Sequence, residues 1–227
     1  MSEAIRFGFD VGRKFNADGS PRRFPGNTII SPLVPGSEIF RLARDERDAC
    51  LAGPFGACLT GLPDESLHMT VIQGVTDWMR DREHWTSLLA TTAPLSEVDD
   101  LFAGLWRRRP AFPRVMMRAD HLRFQSEVAI ALRPADAEDN LRIRQWRSAM
   151  SSLFGVHFPG FDQYEFHISL CYGLRMPEGA EQKALEAEKR RFDGECAARP
   201  VVFQVPRPVL AYFDNMFRFP TERIARD

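Results

Sequence analysis

Two seven-residue runs carry side chains able to move protons and hold an anion. His68-Met69-Thr70-Val71-Ile72-Gln73-Gly74 and His167-Ile168-Ser169-Leu170-Cys171-Tyr172-Gly173 both read histidine, apolar, hydroxyl, apolar, two residues, glycine, and they begin 99 residues apart. Alternation with a period of two in a short apolar run predicts a β-strand, on which the histidine, the hydroxyl residue and position five share a face. Two such strands facing one cleft would supply two acid/base groups and two neutral hydrogen-bond donors, which is what splitting or transferring a phosphodiester needs. In an in-line path a base deprotonates the incoming oxygen, while an acid on the far side of phosphorus protonates the departing one. Histidine suits both tasks because its unperturbed pKa, about 6.5, lies near working pH. Thr70 and Ser169 would donate to the non-bridging oxygens, where charge grows in the transition state. Neither sits in a sharp Gly-x-Ser-x-Gly turn, so neither reads as a nucleophile. The spacing leaves open which histidine is the base.

Secondary contacts are expected at the sixth motif position, Gln73 and Tyr172, as substrate-binding residues. Strict alternation puts that position on the face opposite the histidine, so a bend near the glycine is required. Tyr172 could stack on a base or serve as an ordinary core tyrosine. Arg118 and Arg123 flank an expected strand turn at Asp120-His121, where they could reach phosphate or simply face solvent. His84, His121 and His157 share no face with a paired functional group and are not expected in the site.

These residues resemble the 2H phosphoesterase superfamily, which is named for its two His-x-[Ser/Thr]-apolar motifs. Phe24-Pro25-Gly26-Asn27-Thr28 and the glycine ending each motif further resemble a bacterial and fungal branch of undefined biological role. The resemblance implies a metal-independent 2′,3′-cyclic phosphodiesterase, or a related activity on RNA ends or nucleotides. It implies no cofactor and no metal. It also implies an α+β fold of two lobes, each an antiparallel sheet with outer helices, with the active-site cleft between them.

The order of elements read from the chain agrees with a duplication. A strand at Thr28 to Leu33 is followed by a helix from about Glu38 to Leu51, capped by Ser37. The first motif strand then spans Leu67 to Gln73. Helices are expected at Trp78 to Ala90 and Ser96 to Trp106, the latter ended by Arg107-Arg108-Arg109-Pro110. Strands follow at Arg114 to Met117 and Glu127 to Leu132. Asp136 can cap a helix over Ala137 to Phe154, closed by Gly155. The second motif strand at Tyr164 to Cys171 precedes a charged helix over Glu178 to Phe192 and strands at Val201 to Val205 and Val209 to Phe213. Short turns between paired strands favour antiparallel pairing and an α+β class. Residues 1–23 are polar and Gly-containing, which predicts a loosely held arm, with residues 24–227 forming one domain of two pseudo-symmetric lobes.

Composition narrows the partners. The formal net charge is −1, so no global field draws the chain to nucleic acid or membrane, and any RNA contact must be local. Of 30 basic residues only Lys14, Lys183 and Lys189 are lysine, leaving 27 arginines. That bias fits a GC-rich genome and equally suits phosphate, which the planar guanidinium grips with two bonds. Cys50, Cys58, Cys171 and Cys196 show no metal-ligand spacing, and no apolar run is long enough to span a bilayer. A reduced cytoplasmic setting with free thiols is expected. The expected partner is a small nucleotide or an RNA end carrying a 2′,3′-cyclic phosphate, with no membrane and no obligate protein partner. RNA end joining is the enzymatic alternative, though it should need a longer basic track than Arg107 to Arg109. A module that binds cyclic nucleotides or RNA without turnover is the other, though binding alone does not need two matched proton-transfer groups.

Overall fold

Each of the two motifs does form a strand, and the two strands are neighbours. The computed structural model describes residues 8–225. Eight strands run in the order β1 (Gly26–Pro32), β2 (Leu59–Gly61), β3 (His68–Thr76), β4 (Met116–Phe124), β5 (Glu127–Pro134), β6 (His167–Gly173), β7 (Val202–Gln204) and β8 (Val209–Phe213). Four helices accompany them: α1 (Glu38–Ala52), α2 (Leu95–Trp106), α3 (Ala137–Phe154) and α4 (Ala180–Ala198). The strands join one antiparallel sheet in the order β7-β4-β5-β6-β3-β1-β8, with β2 added beside β6.

The fold is therefore α+β, as expected, but its strands form one sheet rather than two. The seam is the β3–β6 contact, where Met69 pairs with Ile168. Beyond it the motif strands part, and β6 pairs with β2 through Cys171 to Gly173 instead. The halves of the sequence also interlock across the seam. Helix α1, from the first half, packs on β2 and β6, while α3, from the second half, packs on β3 and β5. Strand β8, near the C-terminus, completes the edge beside β1.

Local chemistry explains the helices. Ser37 accepts from the Phe40 amide at 3.3 Å and Asp136 from the Asp139 amide at 2.8 Å, caps of about 1 kcal/mol each. Gly155 ends α3 at φ +63°, a left-handed conformation that glycine adopts without steric cost. Ile143, Met150 and Phe154 of α3 are buried with Met69, Val71, Ile168 and Leu170 in one core. The positions between the histidine and the hydroxyl of each motif thus anchor the sheet while the reactive positions face away from the core.

Three expectations fail for physical reasons. Residues 78–90 form turns rather than a helix. There the Asp81 carboxylate accepts from the Glu83 and His84 amides, Arg80 donates to the Thr91 and Ala93 carbonyls, and the Trp85 indole donates to the Ala90 carbonyl. Side chains that bond nearby backbone in this way compete with the helical ladder. Asp120-His121 is not a turn either. Strand β4 continues through it with a register shift between Ala119 and His121, and the hairpin turns at Gln125 and Ser126. The Asp120 carboxylate is held instead by His121 and Arg133 at 2.7 and 2.8 Å. The arm expected to be loose over residues 1–23 is, from Gly8 onward, folded against the sheet. Phe15 is fully buried beside Tyr172, the Gly8 amide donates to the Leu174 carbonyl, and the Thr60 hydroxyl donates to the Gly19 carbonyl. One apolar anchor among polar residues outweighs the loop-like composition. All four cysteines are buried free thiols. Among the described residues no helix is long and apolar enough to cross a membrane.

Candidate active site

His68, Thr70, His167, Ser169, Gln73 and Tyr172 all line one cavity of about 700 Å³. The antiparallel pairing of Met69 with Ile168 explains why four of them converge. It sets His68 opposite Ser169 and Thr70 opposite His167, and all four share the face opposite Met69 and Ile168.

The sixth positions reach the cavity because both motif strands bulge at the same place. On β3 the register with β1 jumps from Thr70 to Ile72, and on β6 the register with β5 jumps from Ser169 to Cys171. The extra residues are Val71 and Leu170, each the fourth of its motif. A bulge reverses the alternation of side chains. Position five, Ile72 and Cys171, is therefore buried in the core rather than beside the histidine, and position six turns to the cavity. The bend required by strict alternation thus lies two to three residues before the glycine. Each bulge carbonyl finds a donor outside the normal ladder: Arg147 Nη1 donates to Val71 O at 2.7 Å, and the Leu62 amide donates to Leu170 O at 2.9 Å.

The glycine has a separate task. A Cβ at Gly74 would stand 2.1 Å from the Asn27 carbonyl oxygen. That close approach lets Asn27 accept from the Val75 amide at 3.2 Å and donate to Asp99 of α2 at 2.8 Å. Thr28 donates to the Ile72 carbonyl at 3.1 Å. The Phe24 to Thr28 stretch therefore fastens the far end of the first motif strand.

The two histidines are oriented alike. His68 Nδ1 lies 2.6 Å from the Ser66 carbonyl oxygen and His167 Nδ1 lies 2.9 Å from the Glu165 carbonyl oxygen. A carbonyl only accepts, so each Nδ1 carries hydrogen and each Nε2 is left for other work. Beside His68 the Phe219 ring stands edge-on at 4.4 Å between centroids. Burial is the main influence on this imidazole; it and the neighbouring His167 outweigh the Ser66 hydrogen bond and the Glu127 charge and push it down to about 4.

His167 meets a carboxylate instead. Its Nε2 lies 3.2 Å from Glu127 Oε1, which also accepts from Arg123 Nη2 at 3.1 Å. Ser169 donates to the other oxygen, Oε2, at 2.6 Å. Burial alone would raise the Glu127 carboxyl, but the His167 and Ser169 hydrogen bonds and the charges of His167 and Lys14 prevail and hold it near 2. Near Thr70, by contrast, stands the phenol of Tyr164, which burial pushes up to about 12, so the group beside Thr70 is neutral.

Sequence reasoning missed Glu127, Lys14 and Tyr164. Glu127 reads as the first residue of an apolar strand, and the pairing of β5 with β6 brings it beside His167 and Ser169. Lys14 arrives on the arm, where its amine lies 3.4 Å from the Tyr172 phenol and 3.4 Å from Asp10. Burial pulls that amine below the usual lysine range against the opposing charges of Asp10 and Glu127. Tyr172 is itself buried, with Phe15 at 4.9 Å between centroids and Lys14 Nζ 4.6 Å from its ring centre. Its ring surface is thereby occupied, which favours a wall residue over a stacking platform. Arg123 lines the cavity, as one expectation had it, whereas Arg118 is exposed and does not. His84 reaches the cavity rim while His121 and His157 stay outside it. Among the described residues, no group of three or more His, Cys, Asp or Glu side chains is arranged to hold a metal ion.

No curated protein matches the chain. Among solved structures, it is similar to a conserved protein of unknown function from Agrobacterium tumefaciens str. C58. The identity is 28%, covering 96% of this chain and 93% of that one, with a TM-score of 0.84. A protein of Thermus thermophilus is matched at 16% identity over 82% of this chain and 86% of that one, with a TM-score of 0.45. Residues 14–126, which include the first motif but stop short of Glu127 and the second, match a family model described as 2H-phosphodiest, a domain of unknown function (DUF1868), so over that span the chain is similar to the 2H phosphodiesterase-like family.

Proposed function

We propose that this protein hydrolyses a 2′,3′-cyclic phosphodiester, at an RNA end or in a small nucleotide, by general acid–base catalysis between His68 and His167 without a metal. One observation carries the reading: two matched His-x-[Ser/Thr] sets stand on one face of adjacent strands and open into one cavity. In the reaction a water oxygen forms a bond to phosphorus as the bond to one ribose oxygen breaks. One Nε2 takes a proton from the water and the other gives a proton to the departing oxygen. One water is consumed, and a phosphomonoester and a free hydroxyl result. Thr70 and, once it turns from Glu127, Ser169 would donate their hydroxyls to the non-bridging oxygens. Gln73, Tyr172, Lys14 and Arg123 form the walls around the phosphate. The cavity of about 700 Å³ falls within the usual range for small-molecule sites, about 300–1,000 Å³.

Hydrolysis is favoured over RNA end joining by the charges in the cavity. Arg13 and Lys14 are paired with Asp10, and Arg123 with Glu127 and Glu165. Arg107, Arg108 and Arg109 are exposed and outside the cavity lining. The test is a screen of cyclic mononucleotides, RNA oligomers ending in a cyclic phosphate and ADP-ribose cyclic phosphate, run in EDTA beside His68→Ala. Ring opening by the natural chain and its loss in the variant are expected. Tight binding with no ring opening of any of the three would favour a binding module, and ligation of RNA ends would favour the joining reaction.

A further inference from the structure

The two motifs are the same in sequence, but only the second meets a carboxylate. From this geometry we infer that Glu127 is a positioning residue that holds His167 as an imidazolium, making His167 the general acid and His68 the general base. The inference rests on the two-histidine reading and gives that reaction its direction.

Charge and the Nδ1 bond carry the inference. His167 Nδ1 lies 2.9 Å from the Glu165 carbonyl oxygen, which only accepts, so Nδ1 carries a hydrogen. Nε2 lies 3.2 Å from Oε1 of the ionised Glu127 carboxylate. A negative charge at that distance favours the cationic ring, which holds a second hydrogen on Nε2. Among the described residues no second acceptor is bonded to His68: Nδ1 donates to the Ser66 carbonyl, and beside the ring lies the edge-on Phe219 phenyl. With Nδ1 holding the hydrogen, its Nε2 keeps a lone pair directed away from that bond.

The other groups around His167 fit the same assignment. Arg123 of β4 and Ser169 of β6 hold the Glu127 carboxylate in place from two sides. Lys14 adds positive charge near Glu127 from the arm, Glu165 lies beside Arg123 at 3.4 Å, and Tyr164 is a neutral phenol. His68 on β3 is a further titratable neighbour, and its neutrality keeps two like charges from facing each other. In the forward step His68 Nε2 takes the proton of the attacking water. His167 Nε2 passes its hydrogen from the Glu127 contact to the ribose oxygen as that oxygen leaves phosphorus. His68 ends cationic and His167 neutral, and one proton returned through solvent resets the pair.

The experiment is ¹⁵N NMR of the imidazole nitrogens in the free protein near neutral pH, which needs no substrate. Expected in the natural chain are two protonated nitrogens on His167 and a neutral, Nδ1-protonated ring on His68. Glu127→Gln should render His167 neutral at the same pH. Ser169→Ala, which removes the hydroxyl but leaves the carboxylate, should keep it doubly protonated. Where hydrolysis is measurable, the alkaline limb of kcat/KM in Glu127→Gln should move to lower pH by about one unit or more, with the acidic limb retained. A neutral His167 in the natural chain, or one indifferent to Glu127→Gln, overturns the inference. The natural-chain spectrum decides even if a variant fails to fold. The expected NMR pattern in a protein that opens no cyclic phosphate would leave this assignment standing and reject the reaction instead.

Discussion

In the first motif the Thr70 hydroxyl lies near the neutral phenol of Tyr164; in the second the Ser169 hydroxyl donates to the ionised carboxylate of Glu127. The histidines of both motifs hang from a backbone carbonyl two residues earlier, and both strands bulge after the hydroxyl residue. The frame is thus duplicated and the electrostatics are not. The proposed division of acid and base roles rests on a residue outside either motif, contributed by the strand that flanks β6.

The sharpest way to break this comparison is to remove each histidine in turn. His68→Ala and His167→Ala should each lower kcat/KM by roughly 10²–10⁴-fold, the usual worth of a general acid or base. The double variant should lose far less than the product of the two, because the groups act as a unit. Steady-state kinetics on the best cyclic phosphate would measure both; undiminished activity in either single variant would falsify the shared-site mechanism.

The hydroxyls give the next largest effect. Thr70→Ala should cost up to about 10²–10³-fold in kcat, as for one lost oxyanion donor. Ser169→Ala should cost less, because its hydrogen is committed to Glu127 in the free protein. Equal losses would mean that the Ser169 hydroxyl turns freely to the phosphate.

At the sixth position the expected effects are smaller. Gln73 is exposed to the cavity, so Gln73→Ala should raise KM with little change in kcat. Tyr172→Phe removes the phenol near Lys14 but keeps the packing against Phe15, so it should change KM by only a few-fold at most. A large fall in kcat for Tyr172→Phe would place the phenol at the reacting atoms.

The smallest effect is on stability in acid. Burial pushes the His68 ring down to about 4 in the folded chain, against about 6.5 when unfolded. Between those values the unfolded chain binds the extra proton, so stability falls as pH drops from about 6.5 toward 4. His68→Gln should flatten that part of the curve in denaturant titrations, and an unchanged slope would mean that His68 is more solvated than its surroundings indicate.

Much of this site was legible in the residues, and the unread parts share a cause. The motif residues converge because a local pattern, His-x-hydroxyl, specifies a local face, and the Asp136 and Gly155 caps are likewise local signals. The bulges at Val71 and Leu170 are not local. They depend on Arg147 and Leu62 supplying donors from elsewhere, so the facing of Gln73 and Tyr172 could be stated only as a requirement. Glu127 was invisible because its role follows from strand order, which sets β5 beside β6. The arm was misread because a single Phe15, buried against Tyr172, decides where the polar residues around it lie. The helix expected over 78–90 failed for the opposite reason: Asp81 and Arg80 satisfied the backbone nearby before a ladder could form.

The dependence of kcat/KM on pH, measured in EDTA for the natural chain and both histidine variants, tests the account most directly. The natural chain should give a bell whose two apparent pKa values belong to the pair. His68→Ala should lose the acidic limb, since the base that must be neutral is gone. His167→Ala should lose the alkaline limb, since the acid that must be protonated is gone. The reverse assignment of limbs would contradict the asymmetry between the motifs, and activity lost in EDTA and restored by a divalent metal would contradict the two-histidine mechanism itself.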